Sequence, residues 1–76
     1  MPRTKKLTDS QIAALTRLSQ GKADFYDLIR VGATGATTTW LVGAGLATGE
    51  KVAGGKEWQI TDAGRSALAA GRIVVS

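Results

Sequence analysis

The stretch GGKEWQITDAGRSAL, residues 54–68, passes from an alternating segment straight into a helical one with no loop between them. No other feature constrains the fold as much. In residues 56–61, Trp58 and Ile60 share one face while Glu57 and Gln59 share the other, the period-two pattern of a half-buried strand. Thr61 or Asp62 then caps a helix, DAGRSALAAG, that turns Ala63, Ala67 and Leu68 inward. Upstream, AGG at residues 53–55 reads as a tight turn, and LATGEKV at 46–52 as the antiparallel partner strand. Hairpin and helix must therefore share one body.

Three helices are expected before the hairpin. The first opens on Thr8 and Gln11, which have the spacing of a capping box, with Leu7 and Ile12 placed as a hydrophobic staple. Ile12, Ala14, Leu15 and Leu18 form its apolar stripe, and Gly21 is its stop. The second spans about Asp24 to Val31, with Asp24 as N-cap, Phe25, Leu28 and Ile29 as buried face, and an end at Gly32. The third lies within residues 34–45, TGATTTWLVGAG. Threonine and glycine are poor helix formers, so packing must hold it. Leu41, Ala44 and Thr37 are expected to face the core, with Trp40 at the edge of that face. Gly45 ends the helix and Leu46 turns back inward.

The 76 residues make one domain, because a chain this short buries only about 60% of the surface its unfolded form exposes. The boundaries expected are a basic arm over residues 1–7, read as a solvated and disordered terminus, and a folded domain over 8–76. There is no cysteine and no histidine, which removes disulfides, thiolate metal sites and the commonest general base. The six carboxylates stand apart except Asp24 and Asp27, whose spacing marks a helix start. No enzyme, cofactor, metal or small-molecule ligand is expected. The longest apolar run, residues 40–47, is too short to span a bilayer, and the chain reads as soluble and cytoplasmic. Two glycine-rich runs, 32–39 and 43–49, lack the lysine or glycine spacing of nucleotide-binding loops. A net charge of +4 favours a polyanionic partner.

Helix, helix, helix, glycine-tipped hairpin, helix resembles the winged helix-turn-helix, an α+β fold in which the hairpin is the wing. Leu41, Gly45, Leu46 and Ala47 look like the segment that closes the recognition helix and enters the first wing strand. Ile60, Thr61, Gly64 and Arg65 look like the Leu/Ile-Thr-x-x-Gly-Arg run that follows the wing in MarR-type regulators. The resemblance covers roughly residues 8–70. It implies double-stranded DNA binding and transcriptional control, with the third helix in the major groove. The chain departs from MarR-type proteins in having no room for their extra dimer-building helices and in a third helix without Lys or Arg. A stand-alone regulator, such as a phage or mobile element encodes, suits the length.

DNA recognition needs phosphate contacts for position and base contacts for sequence. On the third helix the candidates are Thr34, Thr38 and Thr39, with Gly35 and Ala36 allowing a phosphate close to the helix start. The competing reading is that these residues only build a turn and a cap. The candidate cations are Arg30 at the end of the second helix, Lys51 and Lys56 beside the wing turn, and Arg3, Lys5 and Lys6 in the arm. Arg17 and Arg72 are read as ordinary solvated cations, Arg65 as equally suited to a structural partner, and Trp40 and Trp58 as core. The apolar tail Ile73, Val74 and Val75 is either a final strand or the interface of a homodimer on a two-fold operator. The alternative to a regulator is a winged-helix protein–protein module, part of a larger assembly or a phage-encoded inhibitor of a host protein. The uncharged third helix is its main support.

Overall fold

A computed structural model describes residues 3–75, with side chains through Ile73. The elements run β1 (Arg3–Lys6), α1 (Asp9–Ser19), β2 (Ala23–Asp24), α2 (Phe25–Arg30), α3 (Gly35–Gly43), β3 (Ala47–Val52), β4 (Gly55–Ile60), α4 (Asp62–Ala70) and β5 (Arg72–Val75). This is a small α+β domain with a coarse winged-helix-like topology.

Each helix start is fixed by a side chain that the sequence identifies. The Thr8 hydroxyl accepts the Gln11 N–H at 3.2 Å while Gln11 Oε1 accepts the Thr8 N–H at 2.9 Å, completing the capping box. Asp24 caps α2 by accepting the Asp27 N–H at 2.8 Å. Thr34 caps α3 and Thr61 caps α4 in the same way. At the far end of α3, the N–H of Leu46 reaches the Leu41 carbonyl and that of Gly45 the Val42 carbonyl, with Gly45 at φ +78°. This paired closure needs a left-handed residue and lays Leu46 back into the core.

Leu7, Leu15, Leu18, Leu28, Leu41, Leu46, Trp58 and Ile60 form the centre of the core. Several inward expectations fail. On α2 only Leu28 is buried, and Phe25 and Ile29 are exposed, because a helix of six residues offers the core a single turn. Ala44 lies past the last turn of α3 and is exposed, as is Ala63 on α4, where Gly64 and Ala67 take the inner face.

Three expectations about strands also change. The arm is not a loose terminus: β1 pairs antiparallel with β5, Arg3 opposite Val75 and Lys6 opposite Arg72. The hairpin carries a third strand, since Ala23 and Asp24 pair with Trp58 and Glu57 to give the order β2-β4-β3. Its loop is Ala53–Gly54 alone, because Gly55 already pairs with Val52 inside the ladder. Of the tail, Ile73 packs against the chain's own core. The side chains of Val74 and Val75, on which the dimer expectation also falls, lie outside the described residues.

The strand-to-helix junction is held by a compact joint. The Thr61 hydroxyl accepts the Gly64 N–H at 3.0 Å and donates to the Gly45 carbonyl at 2.7 Å, and the Thr61 N–H donates to the Leu46 carbonyl at 3.1 Å. Gly64 rests directly on that Leu46 carbonyl: a Cβ there would overlap its oxygen and lie 2.7 Å from Ile60 Cγ1. Gly64→Ala therefore lowers stability, by roughly 2 kcal/mol as an overpacked site, although the same change in an open helix raises it by about 1 kcal/mol. Urea unfolding decides the sign, and a stabilised variant would refute the close contact.

Candidate nucleic-acid interface

The hairpin register distributes charge by face. Opposed residues share a face, and faces alternate along a strand. Ala47 with Ile60, Gly49 with Trp58, and Lys51 with Lys56 therefore lie on the face that enters the core at its base. Thr48 with Gln59 and Glu50 with Glu57 lie on the other. Like charges thus stand directly opposite like charges on both faces, a mildly unfavourable arrangement in the isolated sheet. It leaves the α3-side face of the wing with two lysines and no carboxylate.

Lys56 lies next to α3. With Thr38, Thr39, Val42 and Trp58 it lines a cleft of about 160 Å³ between that helix and the wing. Its ammonium sits 5.4 Å from the centre of the Trp58 ring, a cation–π distance. On another side Trp58 meets Phe25, ring centres 6.2 Å apart. Gly49, opposite Trp58, has ordinary strand backbone, so its conformation does not call for glycine. Space does: a Cβ there would lie 2.8 Å from Lys56 Cε and 3.1 Å from Trp58 Nε1.

The α3 candidates occupy different positions. Thr39 is exposed at the cleft. Thr38 is 5% exposed and its hydroxyl donates to the Gly35 carbonyl at 2.9 Å, so it belongs to the core rather than to an outer surface. The reason is helical phase: Thr38 lies one turn before Leu41, on the buried stripe. Thr34 is exposed, but its hydroxyl accepts the Thr37 N–H at 3.3 Å as the cap. Gly35 and Ala36 are exposed, with open space around Gly35.

Among the cations, Arg30 is exposed in the last turn of α2, and Lys51 faces Lys56 across the hairpin. Arg3, Lys5 and Lys6 are exposed on β1. Their strand borders a different groove, lined by Thr4, Ala44, Ala63, Ala67 and Ile73, which shares no residue with the α3–wing cleft. The cleft thus gathers Thr38, Thr39 and Lys56, while the arm stands apart. Arg17 is not an idle cation: it pairs with Asp27 at 3.4 Å and donates to the Gly21 and Lys22 carbonyls, tying α1 to α2. Arg65 pairs with Asp62 at 3.1 Å on the surface.

Gly49, the edge of Trp58 and Val42 escaped the sequence reading. A glycine inside a strand is a signal of close approach, and the near-mirror EKVAGGKE, residues 50–57, announces the paired charges once the loop is known to be two residues long. Among the described residues no helix is long and apolar enough to cross a membrane, and no cluster of potential metal ligands occurs.

Fold and site together define a small α+β domain of winged-helix-like topology with a basic hairpin face beside an uncharged helix. No family model, curated protein or solved structure matches the chain.

Breaking the lysine pair tests the register. Lys51→Glu places opposite charges across the hairpin and raises stability by a few tenths of a kcal/mol at low ionic strength, with the gain disappearing in concentrated salt. Thermal melts in low and high salt measure it. A loss of stability at low salt would contradict the facing lysines.

Proposed function

We propose that the protein binds double-stranded DNA as a small winged helix-turn-helix regulator, with α3 against the major groove and the wing on the backbone. The observation that carries the reading is the segregation of the hairpin: Lys51 and Lys56 on the face beside α3, Glu50 and Glu57 on the face away from it. A polyanion on the lysine side relieves their mutual repulsion and meets no carboxylate of the wing. The outer side of α3 offers Gly35, Ala36, Thr39 and Val42, small or apolar groups that fit van der Waals contact with base edges and thymine methyls. Arg30 and the β1 cations add exposed positive charge elsewhere on the domain. The function proposed is binding rather than catalysis, in the cytoplasm, for a chain without histidine or cysteine. A homodimer would supply the second half-site that one module needs.

A protein-docking role draws on a separate observation. Tyr26 and Ile29, 75% and 46% exposed, put apolar surface on the outside of α2 next to the half-covered Phe25.

Fluorescence anisotropy with duplex DNA over a range of salt tests the leading reading. The slope of log affinity against log salt reports several phosphate contacts, and Lys51→Ala with Lys56→Ala flattens it by up to about two. Failure to bind any duplex at low salt would sink it. A stoichiometric protein partner lost on Tyr26→Ser, with no duplex binding, would establish the docking role instead.

A further inference from the structure

Trp58 is 8% exposed, yet its indole N–H donates to no acceptor among the described residues. None of their fully buried side-chain polar atoms is left unpaired, so this nitrogen keeps contact with solvent. It borders the space over Gly49, within 3.1 Å of where a Cβ would stand, and the Lys56 ammonium borders the same space within 3.3 Å. Two donors, one of them charged, therefore converge beside a glycine whose backbone does not require glycine. Thr39 lines the same cleft from the α3 side, and its hydroxyl has no hydrogen-bond partner among the described residues. The nearest wing carboxylates, Glu50 and Glu57, are turned to the opposite face by strand alternation.

We propose that Gly49, Lys56, Trp58 and Thr39 form a seat for one phosphate group, which in the DNA reading is a backbone phosphodiester at the junction of α3 and the wing. The proposal rests on that reading for its ligand and goes beyond it in naming the seat. Lys56 and the Trp58 N–H donate to the phosphate oxygens from the wing, and Thr39 donates from the helix. At about 160 Å³ the cleft is several times the roughly 30 Å³ that one water occupies, which leaves room for a hydrated tetrahedral anion. Gly49 is a positioning residue. By lacking a side chain it lets the end of Lys56 lie across the indole, where the aromatic face holds the ammonium in place before a ligand arrives. Lys51, across from Lys56, has no aromatic rest among the described residues and supplies only diffuse charge.

Gly49→Ala separates this seat from general electrostatics, because it displaces Lys56 without changing net charge. The closest clash is with the flexible end of a lysine, while the Trp58 Nε1 contact at 3.1 Å needs a shift of only a few tenths of an ångström, so the fold is expected to be retained, and circular dichroism checks that it is. The expected result is a several-fold weaker duplex affinity with a salt slope lower by about one, matching Lys56→Met. In ¹H–¹⁵N spectra the Trp58 indole peak, identified by its persistence in Trp40→Phe, moves on duplex addition, and less so in Thr39→Val. Duplex binding with an unmoved Trp58 peak and an unaffected Gly49→Ala overturns the seat and leaves the DNA reading intact. Inorganic phosphate titrated against chloride at equal ionic strength reads the seat without DNA: movement of the peak supports it, no movement overturns it. A phosphate-sensitive Trp58 peak in a protein that binds no duplex overturns the DNA reading alone.

Discussion

The carbonyl of Leu46 is the point on which the molecule turns. It receives the Thr61 N–H and bears the bare face of Gly64, while one residue earlier the Gly45 carbonyl takes the Thr61 hydroxyl. This contact joins the end of α3 to the start of α4 and fixes where the hairpin between them must leave and return. The position of the wing beside α3, and so the whole cleft, follows from it. Left unpaired, the Leu46 carbonyl, the buried group of this set, would cost about 1–3 kcal/mol, so the joint is selected as much by what it avoids as by what it contributes.

The residues that carry the winged-helix resemblance are largely the residues of that joint. Gly45, Leu46, Thr61 and Gly64 touch one another, and Leu41 and Ile60 are buried beside them. Arg65 pairs only with Asp62, within its own helix, among the described residues. The motif is thus a signature of how α3, wing and α4 are locked together. It says little about what the cleft holds.

Legibility in the sequence tracked the range of the interactions. Caps were readable because one side chain satisfies one nearby backbone group, as at Thr8 and Asp24, and stops because glycine alone readily takes a positive φ, as at Gly21 and Gly45. Trp58 and Ile60 were readable because alternation over a short strand leaves them no other face. Register was not. A three-residue turn at 53–55 would have set Lys51 against Glu57, a favourable pair; the two-residue loop sets it against Lys56. Local charge favours the first arrangement, but β4 must also pair with Ala23 and deliver Thr61 to the joint, and a slip of one residue would turn Trp58 out of the core. The same nonlocal origin hid the β1–β5 pairing, whereas the burial of Thr38 follows from the helical phase that Leu41 sets.

The β1–β5 ribbon has a consequence for how the molecule comes apart. It brings Arg3 opposite Val75, so forming it closes a loop of nearly the entire chain, whereas the wing closes over Ala53 and Gly54 alone. Loop-closure entropy rises with loop length, and the ribbon sets against it a ladder of four residue pairs. The wing and capped helices can be assembled before the ribbon exists, but the ribbon has no partner until they are. On loop entropy alone the ribbon is expected to form after the wing and to open before it, and the Arg3, Lys5 and Lys6 cations would move with it while the α3–wing cleft, closed by short-range contacts, stays in place.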